Sequence, residues 1–236
     1  GRAEDPGLAR SAYQVWVSHP DFRPWSGRLA PEEFQLDVAL EEGLTVEGQI
    51  RSQTGEAVTG ARIALQSLHP FQYVTAESDP DGRFCKHGLQ PAENAMLTVS
   101  ASGFAPAILD DFALRPGGAP LVVTLVPGLS ITGSVQDTSG RPAGAARLAI
   151  LREDLPAALA DLIEGSGASR EAPLRADEKG RFRFRDLAPG VYRITVEPDG
   201  PPGRRSVVRA AAGAEAVRIT LGVSEVLFAG VVGLVR

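Results

Sequence analysis

The sequence predicts an all-β protein in which one folding unit is used serially. Three observations carry this. Residues 55–65 (GEAVTGARIAL) return without a gap as residues 140–150 (GRPAGAARLAI), 140 − 55 = 85 positions later. Residues 82–84 (GRF) and 89–91 (LQP) return in the same order as 180–182 (GRF) and 187–189 (LAP), at an offset of 180 − 82 = 98. Between these landmarks run short stretches of alternating apolar and polar residues, punctuated by 26 glycines and 18 prolines. Ordered recurrence marks a repeated module, and short alternating runs between turn residues mark half-buried strands.

Each unit opens on such a run, 44–50 (LTVEGQI) or 129–135 (LSITGSV). Leu44, Val46 and Ile50 share a face with Gly48, as Leu129, Ile131 and Val135 do with Gly133. A glycine at the same strand position in both units predicts a bulge or the close approach of a neighbour. A turn at 54–55 or 139–142 leads to a second strand, 61–65 or 146–150. After a variable segment, the turn signals Asp81-Gly82 and Lys179-Gly180 introduce Arg-Phe strands. In residues 181–185 (RFRFR), Phe182 and Phe184 point inward, and Arg181, Arg183 and Arg185 point outward. The turn 187–190 feeds the strand 191–196 (VYRITV), matched by 95–99 (AMLTV) in the first unit. A final strand, 121–125 or 217–221, closes each unit.

The ends read as partial units. Residues 13–17 (YQVWV) align with 192–196, residues 34–40 (FQLDVAL) resemble a closing strand, and 40–43 (LEEG) parallels 125–128 (LVPG). The expected division is therefore 1–43 as the back part of a preceding module, 44–127 and 128–222 as complete modules, and 223–236 as the first strand of a following one. The alternative makes both ends appended strands of the complete modules. The chain opens at Gly1 and its one methionine is Met96, so a piece of a longer protein is expected. The increase in offset, 98 − 85 = 13 residues, locates an insertion within 152–176. There Asp154 is placed to cap a short helix, with Leu155, Leu159, Leu162 and Ile163 on one stripe and Gly165 at its end.

Composition narrows function. Net charge is −5, and the 24 basic residues are scattered, which argues against a nucleic-acid-binding face. No apolar run reaches the roughly 18 residues of a membrane span. Cys85 is the sole cysteine, so no intrachain disulfide forms and the redox compartment stays open.

The pattern of 129–221, with its Ser-Gly turn, Gly-Ala-Ala strand entry, Asp177-x-x-Gly180-x-Phe182 hairpin and Leu187-x-Pro189-Gly190-x-Tyr192 turn, resembles the carboxypeptidase regulatory-like domain. The first unit departs from it in the middle, where Cys85-Lys86-His87-Gly88 stands against Arg183-Phe184-Arg185-Asp186 and Ala92 against Gly190. The resemblance implies tandem seven-stranded Greek-key β-sandwiches of the transthyretin (prealbumin-like, Ig-like) kind, grouped with carbohydrate-binding-like folds. It implies a bacterial protein of the envelope or the exterior. It specifies fold far more than ligand.

No catalytic or metal-binding residue is assigned, and no cofactor is expected. His19, His69 and His87 lie outside any H-x-x-E or H-E-x-x-H setting and read as surface or turn residues. Residues 79–82 (DPDG) resemble part of a calcium loop but lack its later acids, and the hairpin turn is the expected reading. Cys85 aligns with outward Arg183 and has no counterpart in the second unit. The arginines at 181, 183 and 185 are expected to pair with acids across the sheet. The leading candidates for a sugar site are aromatic: Trp16 in the outward phase of its strand, and Phe71 and Tyr73 in the first unit's variable loop, with Phe22 and Trp25 nearby in sequence. The alternative is that they pack on a neighbouring module. The reading is a non-catalytic structural or adhesive spacer whose partners are neighbouring domains of its own chain. A carbohydrate-binding module with a polysaccharide or cell-surface partner is the second reading. An accessory domain of a metallopeptidase or an outer-membrane receptor is the third.

Overall fold

The computed structural model describes residues 11–31, 35–153, 174–198, 205–222 and 228–229. The proposed helix with Asp154 at its cap, and most of 223–236, lie outside the described residues. Every regular element among the described residues is a strand, as the alternating runs require.

A hairpin comes first: β1 (Tyr13–His19) pairs antiparallel with β2 (Phe22–Leu29). The first unit then contributes β3 (Leu44–Ser52), β4 (Arg62–Leu68), β5 (Phe71–Glu77), β6 (Arg83–Leu89), β7 (Ala92–Ser100), β8 (Ala107–Leu114) and β9 (Leu121–Leu125). They form two sheets, ordered β6-β3-β9 and β5-β4-β7-β8. The second unit contributes β10 (Leu129–Gln136), β11 (Arg147–Arg152), β12 (Leu174–Arg175), β13 (Arg181–Leu187), β14 (Val191–Glu197), β15 (Ser206–Ala211) and β16 (Val217–Thr220). Its sheets are ordered β13-β10-β16 and β12-β11-β14-β15, and the short β17 (Phe228–Ala229) adds parallel to β15 at the outer edge.

The registers coincide between units. Gly48 lies opposite Phe84 on the antiparallel side and Leu121 on the parallel side; Gly133 lies opposite Phe182 and Val217 in the same way. The shared glycine answers to close approach. A Cβ on Gly48 would stand 2.3 Å from the Leu121 carbonyl oxygen, and one on Gly133 would stand 2.2 Å from that of Val217. The phenylalanine ring presses on the same spot, at 2.7 and 2.6 Å respectively. Both opening strands also carry a register irregularity, between Leu44 and Val46 and between Leu129 and Ile131.

Two separate cores result. Buried members of the first run from Ile50 to Leu125 and include Ile63, Phe84, Leu97 and Val99. Those of the second run from Ile131 to Ile219 and include Leu148, Phe182, Phe184 and Ile194. Each fully buried aliphatic side chain contributes about 1.5–3 kcal/mol relative to exposure, so each unit has its own reason to fold.

Three findings differ from the sequence reading. Residues 35–40 form no strand; the chain there is irregular. The variable segment of the first unit contains a strand, β5, whose outward positions carry Phe71 and Tyr73 while Gln72 is buried. Its first three residues invert the pattern of an ordinary half-buried strand, although Val74 and Ala76 then pack on the core. Strands β8 and β15 also differ from the sequence reading: acids at 110 and 111 interrupt the apolar pattern of β8, and β15 opens on a buried serine and ends on two alanines.

Candidate functional site

Of the three candidate aromatics, Phe71 and Tyr73 share one strand two positions apart, and therefore one side of it. Phe71 is 76% exposed and Tyr73 41%. Leu68, opposite Phe71 in the ladder, is 55% exposed. Among the described residues this strand lies at the edge of its sheet. Buried polar groups fix it there. The Gln72 Nε2 donates to the Gln90 carbonyl at 2.9 Å, and the Gln72 Oε1 accepts from the Gln90 amide at 3.1 Å, so a side chain stands in for a ladder pair. Ser67 Oγ donates to the Pro70 carbonyl at 2.7 Å and closes the tight turn before it. Trp16 is 72% exposed but belongs to the β1–β2 sheet, so the structure places it on a different element from Phe71 and Tyr73. Phe22 and Trp25 are half-buried, and the Phe22 ring meets His19 edge-on at 5.0 Å.

Cys85 is exposed on β6. Its Sγ lies 3.3 Å from His87 Nε2, and His87 Nδ1 lies 2.9 Å from Thr45 Oγ1. Partial burial of the sulfur, and then the carboxylate of Glu47 opposite it, push the thiol pKa up. A raised pKa disfavours the thiolate, the opposite of what a nucleophilic cysteine needs. Among the described residues, no three His, Cys, Asp or Glu side chains gather closely enough to hold a metal ion.

The acidic turns serve the backbone. Asp79 Oδ1 accepts the amides of Asp81 and Arg83, at 3.0 and 2.7 Å. Asp177 Oδ1 accepts those of Lys179 and Arg181, and Asp137 Oδ1 those of Ser139 and Arg141. Ser52 Oγ does the same for Thr54 and Glu56. An oxygen engaged by two amides closes a turn of its own. The arginine stripe departs from expectation: Arg181 and Arg183 face Ser134 and Thr132 across the sheet, not acids. Arg181 instead pairs with Asp177 in its own turn, Nε to Oδ2 at 2.9 Å.

The most organised polar constellation lies where consecutive elements meet, and it occurs twice. At the first joint, the Arg23 amide donates to the Glu41 carbonyl at 2.9 Å and the Gly43 amide to the Asp21 carbonyl at 3.1 Å. At the second, the Ala105 amide donates to the Val126 carbonyl at 2.9 Å and the Gly128 amide to the Gly103 carbonyl at 2.9 Å. Phe22 bridges Glu42 as Phe104 bridges Pro127. The turn of each hairpin, β1–β2 or β7–β8, thus clasps the chain that enters the next unit. The hairpin backbone also reaches the end of the next unit's Arg-Phe strand. A Cβ on Gly88 would stand 2.5 Å from the Pro20 carbonyl oxygen, and one on Gly128, which itself packs on Asp186, would stand 3.2 Å from the Phe104 carbonyl carbon. Gly88 and Asp186 occupy the same position, and both adopt positive φ, 75° and 57°. Where Gly88 offers no side chain, the Asp21 amide donates to His19 Nδ1 at 3.2 Å. Where Asp186 stands, its Oδ1 takes the Gly103 amide of the preceding unit at 3.1 Å. The Leu-x-x-Gly spacing pointed to the joint in sequence; nothing local marked Asp186 as part of it.

The repeated registers and the duplicated joint describe one kind of unit. A model of the carboxypeptidase regulatory-like domain matches residues 45–126 and again 130–222. The chain belongs to the carboxypeptidase regulatory-like domain family. No curated protein matches the chain. Among solved structures, a streptococcal ancillary pilin is 14% identical, with 89% of this chain and 73% of that chain covered and a TM-score of 0.37. The shaft pilin SpaA of Lactobacillus rhamnosus GG is 12% identical, over 75% of this chain and 96% of that one, with a TM-score of 0.33. The Bacillus anthracis TIE protein is 13% identical over 84% of this chain, with a TM-score of 0.33, and this chain spans 36% of its length. In both carboxypeptidase regulatory-like units the matched residues are those of the sheets, turns and cores described above.

Proposed function

We propose that the chain is a non-catalytic tandem β-sandwich segment of a larger bacterial protein of the envelope or exterior, acting as a structural or adhesive spacer. On this reading 44–127 and 128–222 are complete Greek-key modules, and 1–43 is the back part of a preceding one. The observation that carries it is the joint made twice with the same backbone hydrogen bonds, once where the β1–β2 hairpin meets the first unit and once where the two units that each own a core meet. Such construction sets the spacing of whatever lies on either side. The side chains with chemical potential support the same reading. The turn carboxylates bind their own backbone, and burial and the Glu47 carboxylate push the Cys85 thiol pKa up.

The exposed pair Phe71 and Tyr73 on one strand edge favours a second reading, a carbohydrate-binding module, since flat rings on one side match pyranose faces. A glycan array and polysaccharide pull-down on the 236-residue chain, together with peptidase and esterase substrate panels, decide between them. The spacer reading expects neither binding nor turnover. Glycan binding abolished by Tyr73→Ala or Trp16→Ala would replace it with the second reading.

A further inference from the structure

We propose that the hairpin turn of one unit and the entrance of the next form a plug-and-socket interface that fixes the angle between consecutive units. The partner this surface fits is therefore another unit of the same kind. The inference deepens the spacer reading and rests on it for the identity of the partner.

The plug is the turn between β1 and β2, or between β7 and β8. The socket is the glycine of Leu-x-x-Gly, with the positive-φ residue that ends the Arg-Phe strand. The same two backbone hydrogen bonds, which together make one antiparallel bridge, recur at both joints with matching partners. A flexible tether would give no reason for the same four groups to pair twice. Steric fit points the same way: a Cβ on Gly88 would stand 2.5 Å from the Pro20 carbonyl oxygen, and one on Gly128 would stand 3.2 Å from the Phe104 carbonyl carbon, both of them plug backbone. Backbone cannot rotate aside as a side chain can, so the plug has one seat.

The two joints differ in their side chains: the first adds an ion pair of Arg23 Nη1 with Glu41 Oε2 at 2.7 Å, where the second has Ala105 and Val126. In the second, the Asp186 carboxylate crosses to the plug and accepts the Gly103 amide at 3.1 Å. A charge-assisted bond of this kind is stronger than a neutral one, and aspartate is among the few residues that tolerate the left-handed backbone found there. In the first joint that position is Gly88, and the plug satisfies its own amide through His19. The carboxylate therefore latches the second joint from the socket side.

Double electron–electron resonance tests this on the full chain. Spin labels go at Gln53→Cys and Thr138→Cys, which are exposed and equivalent turn positions in the two units. Cys85→Ser removes the native thiol. A single narrow distance peak is expected, retained in Asp186→Asn, which keeps an acceptor oxygen. The narrow peak is expected to be lost in Asp186→Gly, which relieves the backbone but removes the latch. It is also expected to be lost in Gly128→Ala, which drives a methyl against the Phe104 backbone of the plug and into the Asp186 backbone that carries the latch. A broad distribution in the parent chain overturns the proposal, as does a narrow peak kept in both Asp186→Gly and Gly128→Ala. Either result leaves the spacer reading to be judged on the binding and turnover panels. Glycan binding with a narrow peak would instead overturn the spacer reading and leave the joint standing.

Discussion

Replacing Gly133 by alanine tests the packing argument most directly. The new methyl would stand 2.2 Å from the Val217 carbonyl oxygen and 2.6 Å from Phe182 Cζ. Ordinary contact begins at 3.4 Å, so a gap of more than an ångström must open. The phenylalanine ring can tilt; the carbonyl belongs to the backbone of β16. That strand is held parallel to β10 from Gly133↔Val217 to Gln136↔Thr220, and its displacement strains the ladder at that end. Overpacking of this kind costs about 1–3 kcal/mol, and one weakened hydrogen bond adds about 1 kcal/mol. Against these, exchanging glycine for alanine restricts the unfolded chain and returns about 0.4–1 kcal/mol. The net expectation is a loss of about 2 kcal/mol, or roughly 8–16 °C in Tm for a unit of this size. Gly118→Ala is the control, since its added Cβ meets only the Arg115 carbonyl oxygen at 3.6 Å and should be neutral or slightly stabilising. Thermal and urea unfolding by circular dichroism supply the readout. A Gly133→Ala protein as stable as the Gly118→Ala control would refute the close-approach explanation for both units.

Other outcomes follow from the same contacts. Phe184→Ala, which empties a site in the second core, is expected to cost about 3–5 kcal/mol in urea denaturation. Gln72→Ala removes both bonds to Gln90, so amide hydrogen exchange should quicken across Phe71–Glu77 while the interior strand β7 stays protected. Asp137 is held below the usual carboxyl range, first by the Ser139 hydroxyl and then by the Arg141 amide. Asp177 is held below it first by the Arg181 amide. A carboxyl depressed in the folded state stabilises above its unfolded value, and that stability is lost as pH falls through the folded one. The parent should therefore weaken below about pH 4, and the Asp137→Asn, Asp177→Asn double variant should show a flatter acid limb in pH-dependent melting. Cys85, its thiol pKa raised, should react with iodoacetamide at pH 8 more slowly than an unfolded cysteine, and Glu47→Gln should speed it.

Much of the fold was legible because its signals are local. Phe182 and Phe184 alternate with arginines, and period-two alternation needs only one buried face to become a strand. Asp177 to Gly180 reads as a turn because an acid and a glycine are what such a turn consumes. The failures have the same origin. At its start strand β5 buries glutamine and exposes phenylalanine, because Gln72 is held by Gln90 and the strand by pairing with β4, neither of which lies in its own pattern. The expected cross-sheet acids for Arg181 and Arg183 were absent because register, which no single strand encodes, set Ser134 and Thr132 opposite them.

By itself the sequence determined that the chain is a repeated β module, where the opening strands and the Arg-Phe strands with their inward aromatics fall, and that Gly48 and Gly133 mark a bulge or a close approach. These follow from backbone conformation and side-chain period, which are properties of a few consecutive residues. Tertiary structure alone decided which carbonyl crowds each of those glycines, that Trp16 stands apart from Phe71 and Tyr73, and that Asp186 reaches back 83 residues to the Gly103 amide. Contacts between distant segments depend on how whole sheets and units stack, and that geometry is fixed only once both cores have closed.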